Sequence, residues 1–354
     1  MSEKILMEGN EAIAEAAIRA DLRCYFGYPI TPQSELPAYL SKHLPDKGGV
    51  FLQAESEVAA INMVYGAASS GVRTMTSSSS PGISLKQEGI SYLVGSELPC
   101  VIVNIVRGGP GLGNLGPSQS DYFQATKGGG HGDYKMIVLA PSSVQEAADL
   151  TVEAFDLADR YRNPVMILGD GLIGQMMEPV EFNKSSKNDL KSKPWATTGV
   201  KGGRKPNVIN SLHLDFAELE RVNIHLQEKF MNMQKELKYE EFYMEDADIA
   251  IVAYGSVARI AKTSIEEARK NGMKIGLIRP ITLYPFPSKL IEKFAAKVKF
   301  FLVVELNAGQ MIEDVKLAVN GKKSVYFHGR MGGMVPSPME ILEKVESFVK
   351  LTKR

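Results

Sequence analysis

Pro99-Cys100-Val101-Ile102-Val103-Asn104-Ile105-Val106, PCVIVNIV, is apolar at almost every position. It lacks the polar alternation of a strand with one wet face. Strands buried on both faces read this way, and parallel sheets covered by helices supply them. YKMIVLAP and NPVMILGDG have the same character further along. Helical patterns lie between these runs. Ile13, Ala16, Ala17 and Ala20 share one helix face. SEVAAINMVYGAASSG reads as a helix ending at Gly71, which suits a C-terminal glycine. GISLKQEGISYLVGSEL and SSVQEAADLTVEAFDLADRY read as two more helices. RCYFGYPI is a short strand, and VRTMTSSS is strand-like and runs into SPG as a turn. This alternation predicts an α/β domain over residues 1–182 with a mainly parallel sheet.

The character changes over residues 183–245. NKSSKNDLKSKPWATTGVKGGRKPN is polar, basic and rich in Gly and Pro, as a linker or long surface loop would be. A helix follows, with Leu219, Val222, Leu226, Phe230, Met233 and Leu237 in one apolar stripe. From Asp248 the strand–helix pattern restarts. IAIVAYGS, KIGLIRP, KFFLVVEL and KSVYFHG read as strands, each followed by a helix, and Ser256 is placed to cap the first of these. Residues 246–354 are therefore expected to form a second, smaller doubly wound unit.

The 354 residues carry 41 Lys and Arg against 41 Asp and Glu, a formal net charge of zero. A general nucleic-acid or membrane-surface binder needs a basic excess, so neither partner is expected. MSEKILMEGNEAIAEAAIRADL is amphipathic and contains acids, unlike a secretory leader. No apolar run approaches a membrane span, and a cytoplasmic location is expected. The two cysteines, Cys24 and Cys100, make no disulfide framework and indicate a reducing compartment. They cannot supply the four thiolates of an iron–sulfur cluster.

Several residues are candidates for chemistry. In GYPITPQSE, residues 27–35, two prolines bracket Thr31. Each fixes its own φ and restricts the residue before it, so Tyr28 to Pro32 is stiff and the Thr31 hydroxyl has a set direction. Alternatively the stretch is a rigid connection into a helix near Ser34. Glu55 and Glu57 open a helix, where carboxylates suit the macrodipole. The rest of that helix is almost wholly apolar, so Glu57 is expected at the edge of a helix buried nearly all round, and such acids are functional candidates. Arg107 ends the buried strand and is either solvated or a carboxylate clamp. His131, in GGGHGD, reads as an exposed loop residue. Gly111 to Gly116 match G-x-G-x-x-G after a strand, but no helix begins there, so a flexible loop over the sheet edge fits better than a dinucleotide site. Motifs of zinc enzymes and triad hydrolases are missing.

GYPITPQSE, QAESEVAAINMVYGAASSGVRTMT, SSPGISLKQEGISYL and ELPCVIVNIVRGGPGLG together resemble the α subunit of the thiamine-diphosphate-dependent 2-oxoacid:ferredoxin oxidoreductases. DIAIVAYGS…IRPITLYPFP…FFLVVELNAGQM resembles the transketolase C-terminal-type domain of those subunits. TSSSSPGISLKQEG and ATKGGGHGDY look closest to the branched-chain, 2-oxoisovalerate members. The 2-oxoglutarate members are similar but more often have Thr-Ser-Gly-Pro-Gly where this chain has Ser78-Ser79-Ser80-Pro81-Gly82.

The resemblance implies a pyrimidine-binding first domain. It implies that Glu57 hydrogen-bonds the aminopyrimidine ring nitrogen and favours the tautomer that removes the thiazolium proton. It also implies that Pro29 and Thr31 lie at the cofactor, and that Thr31 and Arg107 lie at the 2-oxoacid. The acyl group would pass to coenzyme A and electrons to ferredoxin. LGDGLIGQMM begins like a diphosphate–magnesium motif but lacks its downstream asparagine. The pyrophosphate-binding site with Mg2+ is therefore expected on a β subunit and the iron–sulfur clusters on a ferredoxin-like subunit, in a hetero-oligomer. Three rival readings are a nicotinamide-dependent oxidoreductase, a non-catalytic scaffold subunit, and a partner passing carbon rather than electrons.

Overall fold

The computed structural model describes residues 4–186 and 192–352. The first half runs β1 (Ile5–Glu8), α1 (Gly9–Arg19), β2 (Cys24–Gly27), α2 (Glu35–His43), β3 (Val50–Gln53), α3 (Glu57–Ser69), β4 (Thr74–Ser78), α4 (Ser80–Gly95) and β5 (Cys100–Val106). It continues with α5 (Tyr122–Lys127), β6 (Ile137–Leu139), α6 (Val144–Tyr161), β7 (Pro164–Asp170), α7 (Gly171–Gln175) and β8 (Met177–Val180). The second half runs α8 (Phe216–Met233), β9 (Tyr239–Phe242), β10 (Ile249–Val252), α9 (Gly255–Lys270), β11 (Ile275–Pro280) and β12 (Thr282–Tyr284). It ends with α10 (Ser288–Ala295), β13 (Phe300–Glu305), α11 (Met311–Val319), β14 (Ser324–Gly329) and α12 (Pro338–Thr352).

The larger sheet has the order β12-β6-β7-β5-β4-β2-β3. PCVIVNIV lies at its centre. β5 pairs in parallel with β7 from Cys100↔Pro164 to Val106↔Asp170, and every residue of both strands is buried. The smaller sheet has the order β14-β13-β10-β11-β9. It is parallel except at β9, which runs antiparallel to β11. The expected boundary at residue 246 falls after β9, which belongs to the smaller sheet. β12 crosses back, pairing antiparallel with β6 at the edge of the larger one.

Three local expectations differ from the structure. SPG is not a turn: Ser80 and Pro81 open α4. Proline suits that position because its missing N–H has no helical partner to lose. The Ser80 N–H instead finds Asn104 Oδ1 at 3.1 Å. Ser256 does not cap α9; its hydroxyl donates to Asp170 Oδ2 at 2.5 Å. Finally, α3 is not buried all round, since Val58, Asn62 and Gly66 lie exposed along one side.

The segment after the glycine loop locks the two sheets together. Gln119 Nε2 donates to the Tyr254 carbonyl at 2.9 Å, and its Oε1 accepts from the Leu306 N–H at 3.1 Å. Tyr122 donates to Asp314 at 2.6 Å. The described part of the basic linker is pinned rather than free: Lys193 meets buried Asp159 at 2.6 Å, and Trp195 stacks under Arg162.

Candidate active site

Pro29 and Thr31 follow β2, Glu57 follows β3 and Arg107 follows β5, so the candidates lie at the C-terminal ends of strands, where open α/β sheets hold ligands. Ser56 caps α3 by accepting the Ala59 N–H at 3.1 Å. That places Glu57 in the first helical turn, 6% exposed, while Glu55 lies exposed. α4 packs alongside through glycines. A Cβ on Gly82 would lie 2.6 Å from Glu57 Oε1 and 2.1 Å from Ser78 Oγ. Only glycine leaves room for the carboxyl there.

GYPITPQSE crosses beside this cradle. Pro29 and Thr31 are exposed, whereas Pro32 and Gln33 are buried. Tyr25 donates to Ser77 Oγ at 2.6 Å, and Ser77 donates to Gln33 Oε1 at 2.5 Å. The remaining Gln33 amide nitrogen and the Ser78 and Ser79 hydroxyls are buried without a protein partner. Unpaired buried polar groups of this kind are costly unless a ligand or water meets them.

Arg107 is nearly buried at the end of β5. It donates through Nη1 to the Thr31 carbonyl at 2.9 Å and through Nη2 to the Leu112 carbonyl at 3.1 Å, and its Nε has no protein partner. The guanidinium therefore pins two loops and keeps N–H groups in reserve. It borders a cavity of about 410 Å³ between the glycine loop and the smaller sheet's loops, lined also by Ser80, Asp121, Leu306, Asn307 and Met331. Burial raises the Asp121 carboxyl above its usual range, and hydrogen bonds from Asn104 and Ser80 oppose that rise. Glu57, Pro29 and Thr31 do not line this cavity. The start of α4 connects the two places: Ser80 Oγ accepts the Arg107 N–H at 3.1 Å, and Gly82 abuts Glu57.

Gly111 to Gly116 form a loop without a helix start. A Cβ on Gly113, at φ +60°, would strike the Gly108 oxygen. Asn114 ties the loop to the Gly332 carbonyl at 2.8 Å. His131 is exposed, and its carbonyl accepts from Ser91 at 2.8 Å. Asp170 of LGDG caps α7 through the Leu172 and Ile173 N–H groups and holds Ser256. Among the described residues, no group of three or more His, Cys, Asp and Glu could hold a metal ion.

Sequence reasoning missed Gln33, although it lies within GYPITPQSE. It also missed Lys86, fully buried in α4. The only signal for Lys86 was its place as the one cation between Gly82 and Gly89.

A mainly parallel sheet joined to a second α/β unit, with a glycine-cradled acid at the first sheet's edge, is the setting in which the comparisons with known proteins place the chain among thiamine-diphosphate-binding subunits. The family model for pyruvate flavodoxin/ferredoxin oxidoreductase, thiamine diphosphate-binding, matches residues 15–243, and that for pyruvate:ferredoxin oxidoreductase core domain II matches residues 247–341. The chain belongs to this family of 2-oxoacid:ferredoxin oxidoreductase α-type subunits. It is 52% identical to the ketoisovalerate oxidoreductase subunit VorB of Methanothermobacter marburgensis, over 97% of both chains. It is 36% identical to the 2-oxoglutarate synthase subunit KorA of the same organism, over 98% of this chain and 99% of that one. The 2-oxoglutarate:ferredoxin oxidoreductase of Magnetococcus marinus, solved with 2-oxoglutarate, coenzyme A and succinyl-CoA bound, superposes with a TM-score of 0.86 at 28% identity. That match covers 98% of this chain and 65% of that one. A split-gene transketolase shares the fold, with a TM-score of 0.61 at 12% identity.

The residues present fit the aminopyrimidine end of thiamine diphosphate. The observations are the Gly82 cradle and the buried, unpartnered Gln33 amide nitrogen and Ser78 and Ser79 hydroxyls.

Proposed function

We propose that the chain is the pyrimidine-binding subunit of a 2-oxoisovalerate:ferredoxin oxidoreductase. The complex would decarboxylate the 2-oxoacid oxidatively, releasing CO2, giving the acyl group to coenzyme A and passing electrons to ferredoxin. The observation that carries this reading is the 52% identity to VorB along nearly the whole of both chains, against 36% to KorA. The cavity beside Arg107 supports it. Among the described residues Arg107 is the one cationic side chain lining it, and Pro81, Leu306 and Met331 supply apolar surface. A branched monocarboxylate suits that lining, whereas a second carboxylate would be desolvated without a partner.

Thiamine diphosphate, when bound, supplies the carbon nucleophile and the electron sink for decarboxylation. Glu57 would hold a proton at the aminopyrimidine ring nitrogen, the acid–base task of a fixed carboxyl. Gly82 leaves that carboxyl its room. Pro29 and Thr31 would face the cofactor from the proline-stiffened loop, with the Thr31 hydroxyl in reach of the 2-oxoacid. Arg107 would receive the substrate carboxylate with the N–H groups that its two loop contacts leave over. The diphosphate with its Mg2+ would be held by a β subunit, and the iron–sulfur clusters by a ferredoxin-like subunit, in a hetero-oligomeric complex.

The test is reconstitution with the partner subunits and comparison of kcat/KM across 2-oxoacids. 2-Oxoisovalerate should exceed 2-oxoglutarate and pyruvate by at least about tenfold, within the reach of pocket discrimination. A preference for 2-oxoglutarate would move the chain to the other branch. Equal turnover without this chain would make it a scaffold.

A further inference from the structure

Gln119 is 2% exposed and lies where the two units meet, between the glycine loop and α5. Its neighbours Ser118 and Ser120 line the cavity beside Arg107, but Gln119 itself does not. Its side chain reaches into the smaller unit instead. All four of its polar atoms find partners there. The main-chain N–H donates to the Leu306 carbonyl at 2.9 Å, and the main-chain oxygen accepts from Asn307 Nδ2 at 2.9 Å. The side-chain Nε2 donates to the Tyr254 carbonyl at 2.9 Å, and Oε1 accepts from the Leu306 N–H at 3.1 Å. Gly255, at φ +57°, leaves room for this amide, since a Cβ there would lie 3.0 Å from Nε2.

Leu306 is thus held at both of its main-chain groups by one residue of the larger unit. The Ser118 hydroxyl lies 3.1 Å from the same carbonyl. Leu306 and Asn307 begin the stretch that, with Gln310 and Met331, forms the smaller unit's side of the cavity. The far end of that stretch is tied as well. Gln310 Nε2 donates to the Ser120 carbonyl at 2.7 Å, and its Oε1 accepts from the Phe123 N–H at 2.8 Å. A fully satisfied buried polar network fixes one geometry. Losing the Gln119 amide would take away the acceptor of the Leu306 N–H, and an unpaired buried donor is costly. The position of this wall relative to Arg107 therefore depends on Gln119.

We propose that Gln119 is a positioning residue for substrate selection: it fixes residues 306–310 of the smaller unit as one wall of the cavity beside Arg107, so that the second unit takes part in choosing the side chain of the 2-oxoacid. Arg107 meets the carboxylate that every 2-oxoacid carries, and this wall meets the part that varies. The proposal rests on the reading of that cavity as the 2-oxoacid site, and not on which 2-oxoacid it takes.

Two measurements test it. The first is amide hydrogen exchange of the full chain, read in peptides spanning residues 304–310. Gln119→Met keeps the length of the side chain and removes both amide contacts, so exchange there should rise by about tenfold. Unchanged exchange overturns the proposal. The second uses the assembled complex and compares kcat/KM for 2-oxoisovalerate, 2-oxoglutarate and pyruvate. Gln119→Met should bring the ratios between them about fivefold closer to one, chiefly through KM. Tyr122→Phe removes a different contact between the units, the one to Asp314, and should leave the ratios as in wild type. If Gln119→Met does not fold, Gly255→Ala disturbs the same amide from the other side and should narrow the ratios in the same direction. An equal fall for every 2-oxoacid, or the same narrowing in Tyr122→Phe, would make Gln119 one interface contact among several and overturn the proposal. Faster exchange at residues 304–310 with every KM unchanged would leave the grip on Leu306 standing. The reading of the cavity as the 2-oxoacid site, and with it the role of Gln119 in selection, would fall.

Discussion

Arg107 donates to the main-chain oxygen of Thr31 at 2.9 Å, so the arginine at the end of β5 holds the proline-bracketed loop after β2 in place. Its second donor holds Leu112 in the glycine loop at 3.1 Å. Lysine offers one point charge and cannot span both carbonyls. Arg107→Lys should lower kcat/KM roughly 10–150-fold, the equivalent of about 1.5–3 kcal/mol for hydrogen bonds to a charged group. Limited proteolysis should also cut the glycine loop faster. Unchanged kinetics with an unchanged cleavage rate would remove Arg107 from both tasks.

Gly82→Ala puts a Cβ 2.6 Å from Glu57 Oε1 and 2.1 Å from Ser78 Oγ. The chain should lose about 1–3 kcal/mol from overpacking, measured by denaturant unfolding. Activity should fall further than stability explains, by about 10²-fold, because the carboxyl is displaced from its set position. A stable and fully active Gly82→Ala chain would show that the cradle is not needed.

Lys86 also makes a pH prediction. Its ordinary pKa of 10.5 falls to about 7 in the folded chain. Between those values the unfolded state binds the extra proton, so this group's contribution to stability grows as pH rises from 7 toward 10.5 and is lost as pH falls through 7. Relative to wild type, Lys86→Met should therefore be most favoured near pH 6 and lose that advantage toward pH 10. Thermal unfolding of the two chains across this range is the check, and a pH-independent difference contradicts it.

Much of the fold could be read from residues whose neighbours in sequence are also their structural context. PCVIVNIV is buried on both faces whichever partner lies beside it, so its apolar run alone placed it in a parallel sheet. β12 could not be read so. It is a short edge strand, and its partner β6 lies far away in sequence. β9 and β3 are also short, four residues each, with no buried position in either. Ser256 looked like a cap because the competing acceptor, Asp170, reaches it only through tertiary structure. The exposed side of α3 was hidden for a similar reason, since apolar composition does not distinguish a core face from an uncovered one. In the site, Glu57 stood out as an acid on an apolar helix. Lys86 did not, because a single lysine in a helical pattern reads as surface. The roles of Asn104 and Asp121 depend on contacts made across β5 and α5.

The cysteines bear on what the chain can hold alone. Cys24 and Cys100 are both free thiols in the structure. The purified chain should be colourless and contain no stoichiometric iron, because a cluster needs four thiolates. Thiamine diphosphate should bind it weakly, and tightly once the partner that holds the diphosphate is added. Calorimetry showing tight binding to the chain alone would mean that the diphosphate site lies here.

The central claim is that Glu57, and not its neighbour Glu55, does acid–base work on the cofactor. Glu57 is 6% exposed and abuts Gly82, while Glu55 faces solvent. The most direct measurement is exchange of the thiazolium proton with deuterium in the assembled complex, which precedes any substrate chemistry. Glu57→Gln keeps the size of the side chain and should slow this exchange by about 10²–10⁴-fold, whereas Glu55→Gln should leave it near the wild-type rate. Exchange in Glu57→Gln as fast as in wild type, or equal loss in both variants with the fold intact, would contradict the account.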